Sequence, residues 1–337
     1  MKPTFRITAN DEDITRQLRE RFVSLKIRDE SGADSDELTL VVSDHAPEDP
    51  LALPPTGAEL EAFLGYDDDA VSMGRYVVDS LEMSWPPNQL KIVAKAAPQA
   101  KSDSGEGSTR PMLQTKKTRS WDAGTLLGDM ARSIAGEHDL DPAIQDVMAS
   151  IALPHVDQTD ESDMNLLTRL ARDYDGIAKP AGGALVIAKR AASMVANESG
   201  ESLPTVPVTP DMVSSGRMKL AKRGNAGSVV ARWRDTDAAA TLEITEGEGE
   251  PVQRLQTIHP DEESARAAAR AELRRGQRGE QTLNLTLPGD TRLMAEGRLA
   301  LSDFREGADG EWLITSVTHT LNDAGYQCQV KGELPSD

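Results

Sequence analysis

The side chains able to carry chemistry are few and far apart. Five histidines, His45, His138, His155, His259 and His319, are scattered over 337 residues, and one cysteine, Cys328, stands among them. That spacing contains no Cys/His ligand set for zinc, so metal ligation is not expected. Asp67, Asp68 and Asp69 offer the oxygen ligands that calcium takes. The run lacks the alternating acid or Asn, the Gly and the terminal Glu of an EF-hand loop, and it reads as a solvated loop tip. Gly105-Glu106-Gly107 and Gly247-Glu248-Gly249 are poor phosphate cradles, because neither sits between a strand and a helix and their glutamates repel phosphate. No Gly-x-x-x-x-Gly-Lys-Ser/Thr, His-Glu-x-x-His or Gly-x-Ser-x-Gly motif occurs. Paired carboxylates, the remaining route to hydrolysis, meet in space and not in sequence, and 56 acidic residues single out no pair. No catalytic, cofactor-binding or metal-binding residue and no cofactor is therefore assigned, and the chain reads as a non-enzyme.

The densest basic cluster, Arg274, Arg275 and Arg278, reads as the charged end of a solvated helix. Trp121 and Trp233 each begin or interrupt an apolar run and read as core or interface anchors. Cys328 alternates with Tyr326 and Val330 in a strand pattern, which makes it a small buried hydrophobe.

The charge of −19, from 56 Asp and Glu against 37 Lys and Arg, argues against a sequence-independent nucleic-acid binder, which works by neutralising phosphates. No segment approaches the uninterrupted apolar length of a membrane span, and the first residues lack a signal-peptide core, so folding in the cytoplasm is expected. Apolar residues make up 38% of the chain and aromatic ones only 4%. Its cores must rest on Leu, Val, Ile, Ala and Met, in thin layers that association would complete.

The frame for these residues is mostly β. Stretches 311–321 and 325–331 alternate on either side of Asn322-Asp323-Ala324-Gly325, the pattern of a hairpin, and 298–304 supplies a third strand. Near the N-terminus 22–28 and 37–43 alternate, as do 76–85 and 89–96 around Pro86-Pro87-Asn88. Residues 1–97 thus read as an N-terminal β-rich domain and 98–117, almost without apolar residues, as a linker or loop. Residues 118–195 read as an α/β module. Its first helix carries Leu126, Leu127, Met130 and Ile134 on one face, and its second, 161–174, is capped by Ser162, favoured by Asp163 in its first turn and stopped by Gly176. A strand at 184–189 follows. Residues 196–337 read as a C-terminal β-rich domain, with strands near 217–221, 227–234, 240–244 and 281–289 and a helix at 260–275 that Gly276 stops.

These residues also carry a resemblance. The run Gln158-Thr159-Asp160-Glu161-Ser162-Asp163-Met164-Asn165-Leu166-Leu167-Thr168-Arg169-Leu170-Ala171, followed by Gly182-Gly183-Ala184-Leu185-Val186-Ile187, resembles the central signature of phage late control gene D proteins. Ser120-Trp121, the Ala/Arg helix over 265–275 and the closing hairpin from Trp312 to His319 with Gly325-Tyr326 fit the same family in the same order. Its members are baseplate hubs of contractile tails, in phages and R-type tailocins.

The resemblance implies an α+β fold with two β-barrel, tail-tube-like regions flanking the small α/β module. It implies a homotrimer that adapts the hexameric tail tube to the trimeric central spike. Partners would be the spike, the tube, other baseplate proteins and the tape-measure protein, with no sequence-specific nucleic acid and no membrane. The particle, virion or tailocin, would be assembled in the bacterial host cytoplasm. A tail-associated peptidoglycan hydrolase working through two acids, or a cell-wall binding protein using residues 118–190, are the alternatives.

Overall fold

The computed structural model describes residues 1–31, 36–44, 53–96, 113, 115–181, 184–190, 205–220, 226–278 and 281–335. His45, Gly105-Glu106-Gly107, Gly182-Gly183 and most of 98–117 and 197–209 lie outside them. Strands dominate the described residues, with few helices between them. Contacts divide the chain into two compact units. One takes the described parts of Met1–Ala97, Val195–Met218 and Leu283–Gly332, and the other those of Pro98–Met194, Lys219–Thr282 and Glu333–Asp337. Residues 196–337, expected as one domain, are shared between the units.

The first unit is built on a 13-stranded sheet. Alternation decides which face each strand buries: in Glu37–Ser43 the residues Leu38, Leu40 and Val42 are buried and their neighbours half-exposed. Phe22–Glu30 buries Leu25 and Ile27 in register with Leu40 and Leu38. The other side of Phe22–Glu30 pairs antiparallel with Gly310–Asn322, His319 opposite Ile27. The N-terminal and C-terminal strands therefore share one sheet instead of forming two separate regions. Among the described residues no ring of strands closes.

The C-terminal hairpin, Gly310–Asn322 and Gly325–Glu333, lies where the alternation puts it. Asn322 Oδ1 accepts the amide of Ala324 at 2.9 Å, and Gly325 supplies the left-handed residue at φ 117°. Strands Pro3–Ala9 and Glu59–Tyr66 were not legible as such. Pro3–Ala9 buries Ile7 and Thr8 side by side instead of in alternation, while Glu59–Tyr66 buries Leu60, Ala62 and Leu64 on one face, and the two strands pair with each other over seven positions.

In the second unit, helices Leu127–Glu137 and Asp163–Asp173 share a core of Leu127, Met130, Ile134, Leu166, Leu167 and Leu170. Leu126, expected on that apolar face, is the extended N-cap and is 38% exposed. Leu113, expected in a linker, is fully buried in this core. Ser162 caps its helix as expected, its hydroxyl accepting the Asn165 amide at 3.2 Å. The left-handed residue after that helix is Asp175, φ 55°, and not Gly176. Crowding accounts for Gly176: a Cβ there would lie 2.4 Å from Met148 Cε and 2.9 Å from the Ala188 carbonyl oxygen.

A second small core in this unit joins strands Ser228–Asp235, Ala240–Gly247 and Val252–His259 to helix Glu262–Arg278. Ala265 and Ala269 let the helix lie close on Val229 and Ala231. The helix passes Gly276, expected as its stop, and runs on to Arg278. The added turn delivers the Arg278 guanidinium to a buried carboxylate.

Candidate functional site

The most concentrated chemistry surrounds Asp163. Strand Lys116–Trp121 pairs antiparallel with Val156–Ser162, and its period-2 alternation places Lys117, Arg119 and Trp121 on one face. Asp163, first residue of its helix, has a fully buried side chain. Its Oδ1 accepts from Arg119 Nη2 at 2.7 Å and Gln158 Nε2 at 2.8 Å. Its Oδ2 accepts from Lys117 Nζ at 2.6 Å and His138 Nε2 at 2.8 Å. Glu137 takes a second bond from each cation, 2.6 Å from Lys117 Nζ and 2.6 Å from Arg119 Nη1. Burial pushes the Asp163 carboxyl up, but the bonds from His138, Lys117 and Gln158 and the Arg119 charge outweigh it and hold it at about 2. Glu137 is lowered too, Arg119 and Lys117 overcoming its burial.

Glu137, His138 and Asp163 carry potential metal ligands within 4.8 Å of one another. They do not suit a metal. Two carboxylates are already balanced by two cations at bonding distance, and a divalent ion would have to displace both Lys117 and Arg119. A general acid needs a carboxyl that holds its proton near neutral pH, the opposite of Asp163. The cluster is a cross-brace: it ties strand Lys116–Trp121 to helices Leu127–Glu137 and Asp163–Asp173.

A second buried pair corrects the reading of the basic cluster. Arg278 is only 2% exposed, and its Nη2 and Nη1 reach Asp175 Oδ1 and Oδ2 at 2.5 and 3.0 Å. Glu333 lies 3.4 Å from Arg278 Nε and 3.4 Å from Arg190 Nε. Only Arg274 matches the solvated reading, its guanidinium 3.9 Å from Asp175.

Of the histidines, His155 is exposed beside Asp157 at 3.2 Å, and His138 braces Asp163. His259 is buried, and desolvation lowers its pKa against the pull of Asp173 and Asp261. His319 is fully buried in the first unit: its Nε2 donates to the Leu293 carbonyl at 3.0 Å, which leaves Nδ1 to accept from the Tyr326 hydroxyl at 2.8 Å. Cys328 Sγ lies 3.1 Å from the same Nδ1, and burial drives its thiol up to about 12. The cysteine is thus a buried, protonated neighbour of a neutral imidazole, without the thiolate that reactivity requires.

Asp67 and Asp68 form the turn between Glu59–Tyr66 and Asp69–Ser84. Gly247-Glu248-Gly249 likewise turns between strands, with both glycines at positive φ. Trp121 packs on the α/β core beneath the Arg119 guanidinium, 4.7 Å from its ring, and Trp233 packs on the smaller core. The alternation of Lys117 and Arg119 is the one sequence signal for the cluster at Asp163, but it has no apolar partners to mark a strand, and the expected boundary put Lys117 at the end of the linker and Arg119 in the α/β module.

The described groups are braces and packing, so identity rests on likeness. A model of the phage tail baseplate hub (GPD) family matches residues 112–325, more than half the chain. The chain belongs to that family. A probable baseplate hub protein of Escherichia phage 186 is 28% identical over 378 residues, covering 99% of this chain and 93% of its own length. The fold matches the 43 kDa tail protein of prophage MuSo2 from Shewanella oneidensis at a TM-score of 0.68 and 15% identity, over 99% of both chains. It also matches E. coli c3393, a type VI secretion component described as similar to T4 tail proteins gp27 and gp5, at a TM-score of 0.57 and 11% identity. That match covers all of this chain and 77% of the other. As a member of the baseplate hub family the chain has a structural role in the virion baseplate and is not an enzyme.

Proposed function

We propose that this hub protein acts as a homotrimeric symmetry adaptor, one face of its ring meeting the hexameric tail tube and the other the trimeric central spike. The observation that carries the reading is the single sheet in which strands near the two ends of the chain meet through Phe22–Glu30 and Gly310–Asn322. Two sets of strands side by side in one subunit become six in a trimer, the number a hexameric tube would need. Each set would stand as one tube-like barrel segment, completed by its neighbours in the ring.

The sheet ends at Glu12–Asp13 and Ser215–Leu220, and such edges favour pairing with another chain. The charge of −19 suits a channel wall along which phosphate slides without adhering. Whether the particle is a phage or a tailocin, the same adaptor would serve, and its assembly would proceed in the host cytoplasm.

Light scattering on size exclusion tests the proposal. The expected mass is three times the 36.4 kDa chain, alone or on mixing with the cognate spike. A monomer that ignores both spike and tube proteins would overturn it.

A further inference from the structure

Strand Asp69–Ser84 is paired on both sides over only part of its length. Its first half runs antiparallel to Glu59–Tyr66 as far as Val77, opposite Glu59, whereas Ser80–Ser84 has Gln89–Ala96 as its single strand neighbour among the described residues. A bulge at Asp79 separates the two halves. Register places Leu81 opposite Ile92 and Met83 opposite Leu90, so both side chains belong to the face that buries the core. Leu90 and Ile92 are buried, yet Met83 is 53% exposed and Trp85, which continues the alternation, is 71% exposed. The core face therefore runs out past its own cover, along an edge whose backbone groups have no strand to bond.

A terminal strand of the same sheet repeats the pattern. Ser215–Leu220 has one neighbour among the described residues, Gln281–Pro288. A Cβ at Gly216 would lie 2.8 Å from Cδ2 of the buried Leu285, so alternation puts Gly216, Met218 and Leu220 on the core face. Leu220 is nevertheless 67% exposed. Arg217 and Lys219 occupy the other face, exposed and, among the described residues, without an ion pair. On the open half of Asp69–Ser84 that other face carries Ser80, Glu82 and Ser84, all exposed. In the unassembled chain both strands are edges with apolar residues on the core side and polar ones on the outer side.

We propose that Ser215–Leu220 of one copy pairs with Ser80–Ser84 of a second copy, so that the sheet runs on from subunit to subunit. The inference rests on the ring reading above and names the strands that close it. Residues on the same face of neighbouring strands abut, and one alignment satisfies both faces. Met218 and Leu220 then meet Leu81, Met83 and Trp85 with the two core faces on the same side, while Arg217 and Lys219 meet Glu82. Pairing Ser80–Ser84 with its own counterpart sets Glu82 near a second Glu82 and leaves Leu220 bare. The remaining edge, Glu12–Asp13, is two exposed acidic residues with no apolar side chain to cover Met83. Because two different strands meet, the contact is head-to-tail and able to close a ring.

Thiol cross-linking of the full-length chain, in the mixture where light scattering gives the trimer, tests the pairing. The natural Cys328 is buried and stays silent. With a short bismaleimide, Glu82→Cys and Arg217→Cys in one chain are expected to give covalent dimers and trimers, the two single variants mixed to give dimers only, and either alone to stay uncrosslinked. Met83→Asp and Leu220→Asp, both at exposed positions, are each expected to weaken assembly about tenfold or more by burying a charge, with an unchanged circular dichroism spectrum. Val71→Asp, 47% exposed on the paired half of the same strand, is the control that keeps the trimer. A trimer without cross-links, a trimer that both aspartate variants leave intact, or cross-linking of one single variant by itself would overturn the pairing and spare the ring. A monomer in every mixture would overturn both.

Discussion

Asp175 and Arg278 are 103 positions apart, yet both are nearly inaccessible to water and meet in two bonds. Two such charges are costly to bury, and their attraction offsets the cost only while both are present. Arg278→Ala is expected to lower the stability of the second unit by about 3–5 kcal/mol in urea unfolding, because it strands the Asp175 charge. Arg274→Ala, on the half-exposed side of the helix, should change it by less than about 0.5 kcal/mol. Equal effects would mean that Arg278 is solvated after all. His319 sets a pH dependence on the first unit. Burial lowers its folded pKa, despite the pull of Asp29 and the Leu293 carbonyl, so the unfolded chain binds its proton more readily. Stability from this group is therefore complete above the unfolded value of about 6.5 and is lost as pH falls below it toward the folded pKa. Unfolding midpoints at pH 7.5 and 5 should differ more in the natural chain than in His319→Gln, and an unchanged difference would remove His319 as the cause.

Helix Leu127–Glu137 holds two glycines that respond oppositely to the same change. A Cβ at Gly128 would lie 2.8 Å from Ala149 Cβ and 2.9 Å from Ala149 Cα, while one at Gly136 meets nothing within 4 Å. Gly136→Ala should thus stabilise by up to about 1 kcal/mol through helix propensity, and Gly128→Ala should destabilise by about 1–3 kcal/mol through overpacking. Thermal melts of both variants check the pair of signs. The contrast also shows what a sequence conveys about elements. The apolar stripe of this helix, the cap at Ser162 and the hairpin around Asn322 were legible because each is written within a few neighbouring residues. Leu126 and Gly276 misled for the converse reason: a distant partner decided where the helix began and ended. Glu137 and Asp163 gave no hint of a shared site, since the strand that joins them through Lys117 and Arg119 has no apolar alternation. The family signature over 158–171 runs through this brace, so the motif was readable while its physical role was not.

For the molecule as a whole, the consequence of the topology is cooperativity over long sequence distance. Ser316 and Glu30 are 286 positions apart and sit opposite each other at the junction of the N-terminal and C-terminal strands. Neither strand can keep its inner hydrogen bonds if the other leaves, because each covers one long side of its partner. Leu25, Ile27, Val317 and Leu321 are all buried at that junction, so opening it would expose apolar surface on both strands at once. Closing so long a loop costs entropy before any contact repays it, which makes this junction slow to form and, once formed, part of the most stable opening unit. Native-state hydrogen exchange read by mass spectrometry should accordingly give the amides of Phe22–Glu30 and Gly310–Asn322 the same opening free energy, close to that of global unfolding of the unit. The edge strands Glu12–Asp13 and Ser215–Leu220 should exchange earlier. Earlier exchange of Gly310–Asn322 with Phe22–Glu30 still protected would mean that the two ends of the chain fold as separate bodies. A shared opening would instead give the hub a continuous sheet that resists separation of its N-terminal and C-terminal strands.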